Sequence, residues 1–296
     1  MFRLEKLRST PPWEWPPEAK AEILEVLRDP KARDTELTLA AELAGNEVVI
    51  DDQLATELLE LVKRPARPEL ARASAAIALG PVLESADIEG FDFPEEVPIS
   101  ERKYKAIRDA LRSLYLDAAV PKEVRRRVLE AAVRSPQEWQ QAAVRAAWAS
   151  DDAEWKLTAV FCMTYVQGFE REILEALRSK DPKIHYEAVV AAGGSAVDDA
   201  WEHVSLLVTS KKTAKPLLIA AIEAAASIRP EEAGELLDSL LDSDDEDIAG
   251  AVEEALAVAH GIVTGEEGEG ENDDEEGFEE DDEDDADEDE NDKPLH

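Results

Sequence analysis

Apolar residues recur along this chain at helical spacing. Tyr104, Ile107, Leu111 and Leu114 fall at i, i+3, i+7 and i+10, and Ile248, Val252, Leu256 and Ala259 at i, i+4, i+8 and i+11. Side chains so spaced share one face of a helix, so both stretches are predicted to be amphipathic helices. Strand-like alternation is scarce; the best run, Asn46 to Asp51, is too short to build a sheet. The stripes come in pairs. From Leu174 the chain reads LEALRSKDPKIHYEAVVAAGG: one stripe, a charged turn at Asp181-Pro182, then a second stripe from Ile184 that ends at Gly193-Gly194. Pro182 is tolerated because a helix makes no use of the amide hydrogen at its first position.

The pair repeats. The first large apolar residues of successive second helices align as Leu37, Leu70, Val124, Trp155, Ile184, Leu217 and Ile248, with steps of 33, 54, 31, 29, 33 and 31 residues. The step of 54 holds an insertion, residues 81–100, which carries Pro81, Pro94 and Pro98 and is read as a loop. Its Phe91 and Phe93 either tuck against the body or form an arm that meets a partner. One pair of helices cannot bury its own apolar stripe, so neighbours must stack on it. The predicted fold is therefore all-α, an α-solenoid of about seven two-helix units over residues 18–262. A Pro/Trp arm precedes it at 1–17, and a tail follows at 263–296.

This unit resembles the HEAT repeat family, in particular its short bacterial form associated with phycobilisome lyases. The matching residues are Asp181-Pro182 with Ile184-His185, Val124-Arg125, Trp155-Lys156 after Asp151 and Asp152, and Asp244 and Asp245 with Ile248. The sixth unit, TSKKTAKPLLIAAIEAAA, departs by lacking the turn Asp. The resemblance implies a bent row of helices whose second helices line a concave groove that holds other proteins.

Composition sharpens this picture. Aromatics are only 5% of 296 residues and Ala supplies much of the apolar fraction, which suits close helix packing. The single cysteine, Cys162, excludes an intramolecular disulfide framework and is expected to be a buried, inert thiol. The first residues lack the apolar core of a secretory signal, and no run is long enough to span a membrane; a soluble cytoplasmic protein is the expectation.

The net charge is −38, half of it in residues 265–296, which hold 20 Asp and Glu and one Lys. Such a segment has too little to bury to offset the entropy of ordering, and a disordered tail is expected. It could solubilise, attract basic partners or fold back on the body. Residues 101–134 are the exception to the acidic body, with ten Lys and Arg against five Asp and Glu. That patch could take an acidic ligand or the tail. Nucleic acid is not expected as a partner, because phosphate contacts need positive charge.

Catalytic signatures are missing from the sequence. Gly193-Gly194 lacks the Lys-Ser/Thr of a phosphate loop, and no G-x-S-x-G occurs. The iron-binding hydroxylase branch of the resembled family uses His-Glu pairs, and no His here precedes a Glu. The bilin lyase branch would need an aromatic groove with Arg. The aromatic run Trp139, Trp148, Trp155 and Tyr165 reads as core. The expectation is a non-catalytic scaffold or adaptor, without cofactor or metal, that docks a protein partner along the concave face. A basic partner captured by the tail, and a lyase-like role, are the alternatives. The tentative partner-binding residues are Arg72, Arg125, Lys156 and His185, which recur early in successive second helices, and the indoles Trp13 and Trp15, whose other reading is a cover over the open end of the first repeat. The four helix residues could instead form a ladder of turn hydrogen bonds between repeats.

Overall fold

The computed structural model describes residues 2–93 and 95–264. Among these residues all regular structure is helical. A short helix α1 (Phe2–Arg8) is followed by the first pair, α2 (Ala19–Arg28) and α3 (Asp34–Ala44), and the second, α4 (Asp52–Lys63) and α5 (Glu69–Ala78). Helix α6 (Gly80–Glu89) then intervenes. Five further pairs follow: α7 (Glu101–Leu116) with α8 (Lys122–Ala132), α9 (Glu138–Trp148) with α10 (Ala153–Cys162), α11 (Glu170–Ala176) with α12 (Pro182–Gly194), α13 (Trp201–Thr209) with α14 (Lys215–Ile228), and α15 (Pro230–Leu237) with α16 (Glu246–Thr264). Short turns join the members of each pair, so they run antiparallel. The seven second helices coincide with the seven aligned apolar residues of the sequence, and the result is a row of seven two-helix repeats.

The second helices pack on one another along the whole row, from α3 to α16, while successive first helices touch more sparsely. A row that is close-packed on one side and splayed on the other bends toward the close side. Small residues permit the approach. A Cβ on Gly45 at the end of α3 would lie 2.4 Å from the Ala78 carbonyl oxygen, and one on Gly193 of α12 would lie 2.8 Å from Cα of Ala224 on α14. The buried core runs the length of the row in two clusters, Leu4 to Ala132 and Leu129 to Ala259, which adjoin at α8. Tyr115 and Trp139 pack against both.

The turns follow the sequence. Asp51, Asp152 and Asp181 each precede a helix and accept hydrogen bonds from the second and third amides within it. Asn46 to Asp51, the best strand candidate, is a turn. The segment read as an insertion loop is helical over its first half. Pro81 sits in the first turn of α6, where it costs no hydrogen bond, and Val82, Leu83 and Ala86 are buried. Phe91 packs on the Tyr104 ring at 5.4 Å, whereas Phe93 is exposed. The arm at 1–17 also holds more order than its prolines suggest, because α1 precedes them and buries Leu4 and Leu7. At the other end the last helix runs on to Thr264. The tail, 265–296, lies outside the described residues. No helix among them is long and apolar enough to cross a membrane.

Candidate functional site: the inner face of the second helices

The four tentative binding residues all take the fourth position of their second helices, where Arg72 is buried and Arg125, Lys156 and His185 are half-buried. Arg72 is 4% exposed and its Nε donates to the Val62 carbonyl oxygen at 2.9 Å. Arg125 repeats the contact on the Tyr115 carbonyl oxygen at 2.8 Å, with its guanidinium over the Tyr115 and Trp155 rings. Both bonds reach ten residues back, to the end of the first helix of the same unit. They satisfy carbonyls that a helix end leaves without a partner. For Arg72 and Arg125 the turn hydrogen bonds therefore lie within a repeat, not between repeats as the alternative reading had it, and buried Arg72 offers no surface to a partner. Lys156 sits over the Trp148 ring, and His185 meets His203 of the next unit at 2.8 Å between their Nε2 atoms. The two N-terminal indoles separate. Trp15 donates to the Leu7 and Thr10 carbonyl oxygens and packs on the first core, while Trp13 is 79% exposed.

Further contacts between repeats come from residues outside that candidate set. Lys122 opens α8 and pairs with Asp152, the cap of α10, at 2.8 Å; Lys215 opens α14 and pairs with Asp245 before α16 at 2.6 Å. These hydrogen-bonded pairs raise both lysines and lower both carboxyls relative to their ordinary acidities. A buried network joins α8 to α10. Arg126 Nε donates to Thr158 Oγ1 at 3.0 Å, Thr158 donates to Glu130 at 2.6 Å, and Arg126 and Arg127 both reach Glu123. The run PKEVRRRVLE held the signal: three consecutive arginines on a helix must point different ways, and only Arg125 faces the first helix.

The second helices present their remaining face to the inside of the bend. Its basic residues are occupied. Arg127 pairs with Glu130 at 2.6 Å, and Arg134 pairs with Glu84 of α6 while stacking over Phe161 and Tyr165. Its carboxylates are less well matched. Burial, and then the charge of Glu130, push the Glu187 carboxyl above its ordinary value, against a smaller opposing pull from Arg127. Burial and then Glu254 do the same to Glu223. Tyr186, beside Glu187 on α12, is exposed and feels both Glu187 and Glu223. Glu42 on α3 and Glu254 on α16 extend the acidic line toward both ends. In the basic stretch 101–134, Lys105, Lys122, Arg126, Arg127 and Arg134 already hold carboxylates, and Arg108 donates to the Pro136 carbonyl oxygen.

Two cavities bear on chemistry. One of about 200 Å3, lined by Tyr115, Arg125, Ala146, Ala147, Ser150 and Trp155, brings aromatics and an arginine together as a pigment pocket would. It is smaller than the 300–1,000 Å3 of usual small-molecule sites, and Arg125 is committed to Tyr115. The other, about 460 Å3, lies at the start of the inner face between Glu5, Arg8, Thr38, Leu39, Glu42 and Leu70. Cys162 is fully buried, and burial drives its thiol well above the ordinary value. Among the described residues no group of three or more His, Cys, Asp or Glu is placed to hold a metal ion.

Neither a family model, that of the lyase type included, nor a curated protein matches the chain. Solved structures do. An engineered protein is similar over 70% of this chain and 96% of its own, at 21% identity and a TM-score of 0.40. Human deoxyhypusine hydroxylase in complex with glycerol is similar over 88% and 89%, at 16% identity and a TM-score of 0.39. The archaeal HEAT-like repeats protein from Thermococcus onnurineus NA1 is similar over 84% and 100%, at 17% identity and a TM-score of 0.33.

Proposed function

We propose that this helical repeat is a non-catalytic scaffold that docks a basic protein segment along the inner face of its second helices. The observation that carries the reading is the imbalance of that face. Arg126, Arg127 and Arg134 are tied to carboxylates, while the half-buried Glu187 and the exposed Glu223 are both raised and set against further carboxylates, Glu130 and Glu254. A carboxylate partly removed from water and facing a like charge gains when a cation arrives. The exposed Tyr186 ring beside them supplies an apolar and π surface for an Arg or Lys side chain. The neighbouring repeats display the chemistry internally, with Arg134 stacked on Phe161 and Tyr165 and paired to Glu84.

The test is titration of a fluorescent amphipathic Lys/Arg-rich peptide against three proteins: the full chain, a chain ending at Thr264, and Glu187→Gln/Glu223→Gln. Docking on the inner face predicts binding that survives removal of the tail and weakens at least several-fold in the double variant. Binding lost with the tail and indifferent to the two glutamates instead supports capture by residues 265–296.

A further inference from the structure

His185 stands where Arg72 and Arg125 stand in their repeats, but it does not reach back to its own first helix. Its Nε2 lies 2.8 Å from Nε2 of His203 on α13, with ring centres 5.0 Å apart and ring planes at 89°. Nitrogens this close between rings this far apart are aimed at one another along the line joining the rings. That is the geometry of an N–H···N hydrogen bond, not of two lone pairs converging on a shared ion. One ring donates its Nε2–H and the other accepts, so the two hold opposite tautomers. The bond ties the second helix of the fifth repeat to the first helix of the sixth.

Proton counting gives this bond a property no arginine contact has. One added proton goes to Nδ1 of the donor ring, whose Nε2–H then donates as a cation, and the bond persists. A second added proton occupies the accepting Nε2. Two N–H donors of like charge then face each other and the bond is gone. We propose that His185 and His203 form a proton-controlled latch between the fifth and sixth repeats, closed while the rings share one hydrogen and released when both are protonated.

The surroundings agree. Burial lowers the basicity of both imidazoles, and the charge of His185 lowers that of His203 further. The charged groups that share the groove with His203 are Arg178 after α11, Asp199 in the turn before α13, and Glu202 on α13. On α12 the charged neighbours in sequence are Asp181, which caps the helix, Lys183 and Glu187. On α14 Lys215 is held by Asp245 and Asp247, and Glu223 faces Glu254. On α10 Glu154 is held by Lys122 and Lys156 lies over Trp148. On α15 Glu232 pairs with Arg229, and Glu231 and Glu235 are exposed. A histidine whose folded form resists protonation stabilises the fold fully above its unfolded value of about 6.5, and that contribution is lost as pH falls below it.

The experiment is carried out on the full chain, with imidazole 15N resonances and amide protection factors followed from pH 7.5 to 5. A latch predicts that the two rings titrate as a coupled pair, the second proton being taken up only below the value of free histidine. It also predicts that protection in α12 and α13 falls with pH more than protection in α2 to α5, and that His185→Gln/His203→Gln abolishes this excess. Circular dichroism at pH 7.5 establishes that the variant is folded, and the ring titration needs no variant. Rings that titrate independently at the ordinary value, or an excess loss of protection that persists in the double variant, overturn the proposal.

Discussion

At the scale of single residues, equal positions carry unequal duties. Arg72 is enclosed and supplies the hydrogen bond that the Val62 carbonyl would otherwise lack. Arg72→Met keeps the aliphatic stem and removes the donor, and a buried carbonyl left without a partner costs about 1–3 kcal/mol. A fall of that size is expected in urea unfolding; Arg125→Met, at a half-exposed site, loses less. Glu187 is a test in the opposite direction. Its carboxyl is raised in the fold, so the folded protein binds that proton more readily than the unfolded chain does, and the stabilising contribution declines as pH rises across the carboxylate range. Glu187→Gln is therefore expected to be more stable than the parent at pH 7, with the difference closing near pH 4. The fourth helix position was legible as a repeating one. Its partner was not, because the path of the five-residue turn between the two helices decides which carbonyl comes within reach.

At the scale of elements, the seams between second helices set the tolerance for side-chain volume. The Ala78 carbonyl oxygen, Cβ and Cα all lie within 2.9 Å of a Cβ placed on Gly45, and backbone does not give way as a side chain does. Gly45→Ala is expected to lose about 1–3 kcal/mol through overpacking. Gly234 lies inside α15 with nothing within 4 Å of a Cβ, so Gly234→Ala is expected to gain about 0.5–1 kcal/mol from the lower entropy of the unfolded chain. Measuring the two together by chemical denaturation separates contact from propensity. The insertion was misread for a related reason. Three prolines suggest a loop, but Pro81 falls in a first helical turn and the apolar Val82, Leu83 and Ala86 have the flank of the neighbouring repeats to bury against. A proline's meaning depends on its place within the element, and tertiary packing selects that place.

At the scale of the whole molecule, the row has two buried clusters that adjoin at α8. Each repeat touches mainly its neighbours, so damage stays local. Ile107→Ala empties a fully buried site in the first cluster and is expected to cost about 2–5 kcal/mol. Hydrogen exchange in that variant is expected to quicken from α2 to α8 more than from α12 to α16; a uniform change would show one cooperative unit instead. The periodic stripes and their steps near 31 residues determined the helices, their pairing and the stacked row, because an apolar stripe on a short helix has no stable fate except against the next one. The tertiary structure alone decided which charges are spent inside the protein and which remain. Arg126, Arg134 and His185 read alike as polar residues, and only the crossing of neighbouring repeats brings Thr158, Glu84 and His203 to meet them, whereas Arg127 finds Glu130 three residues on in its own helix. Periodicity records which face of a helix is buried; the partner across the seam depends on angle and offset between helices, and no local pattern in the chain encodes these.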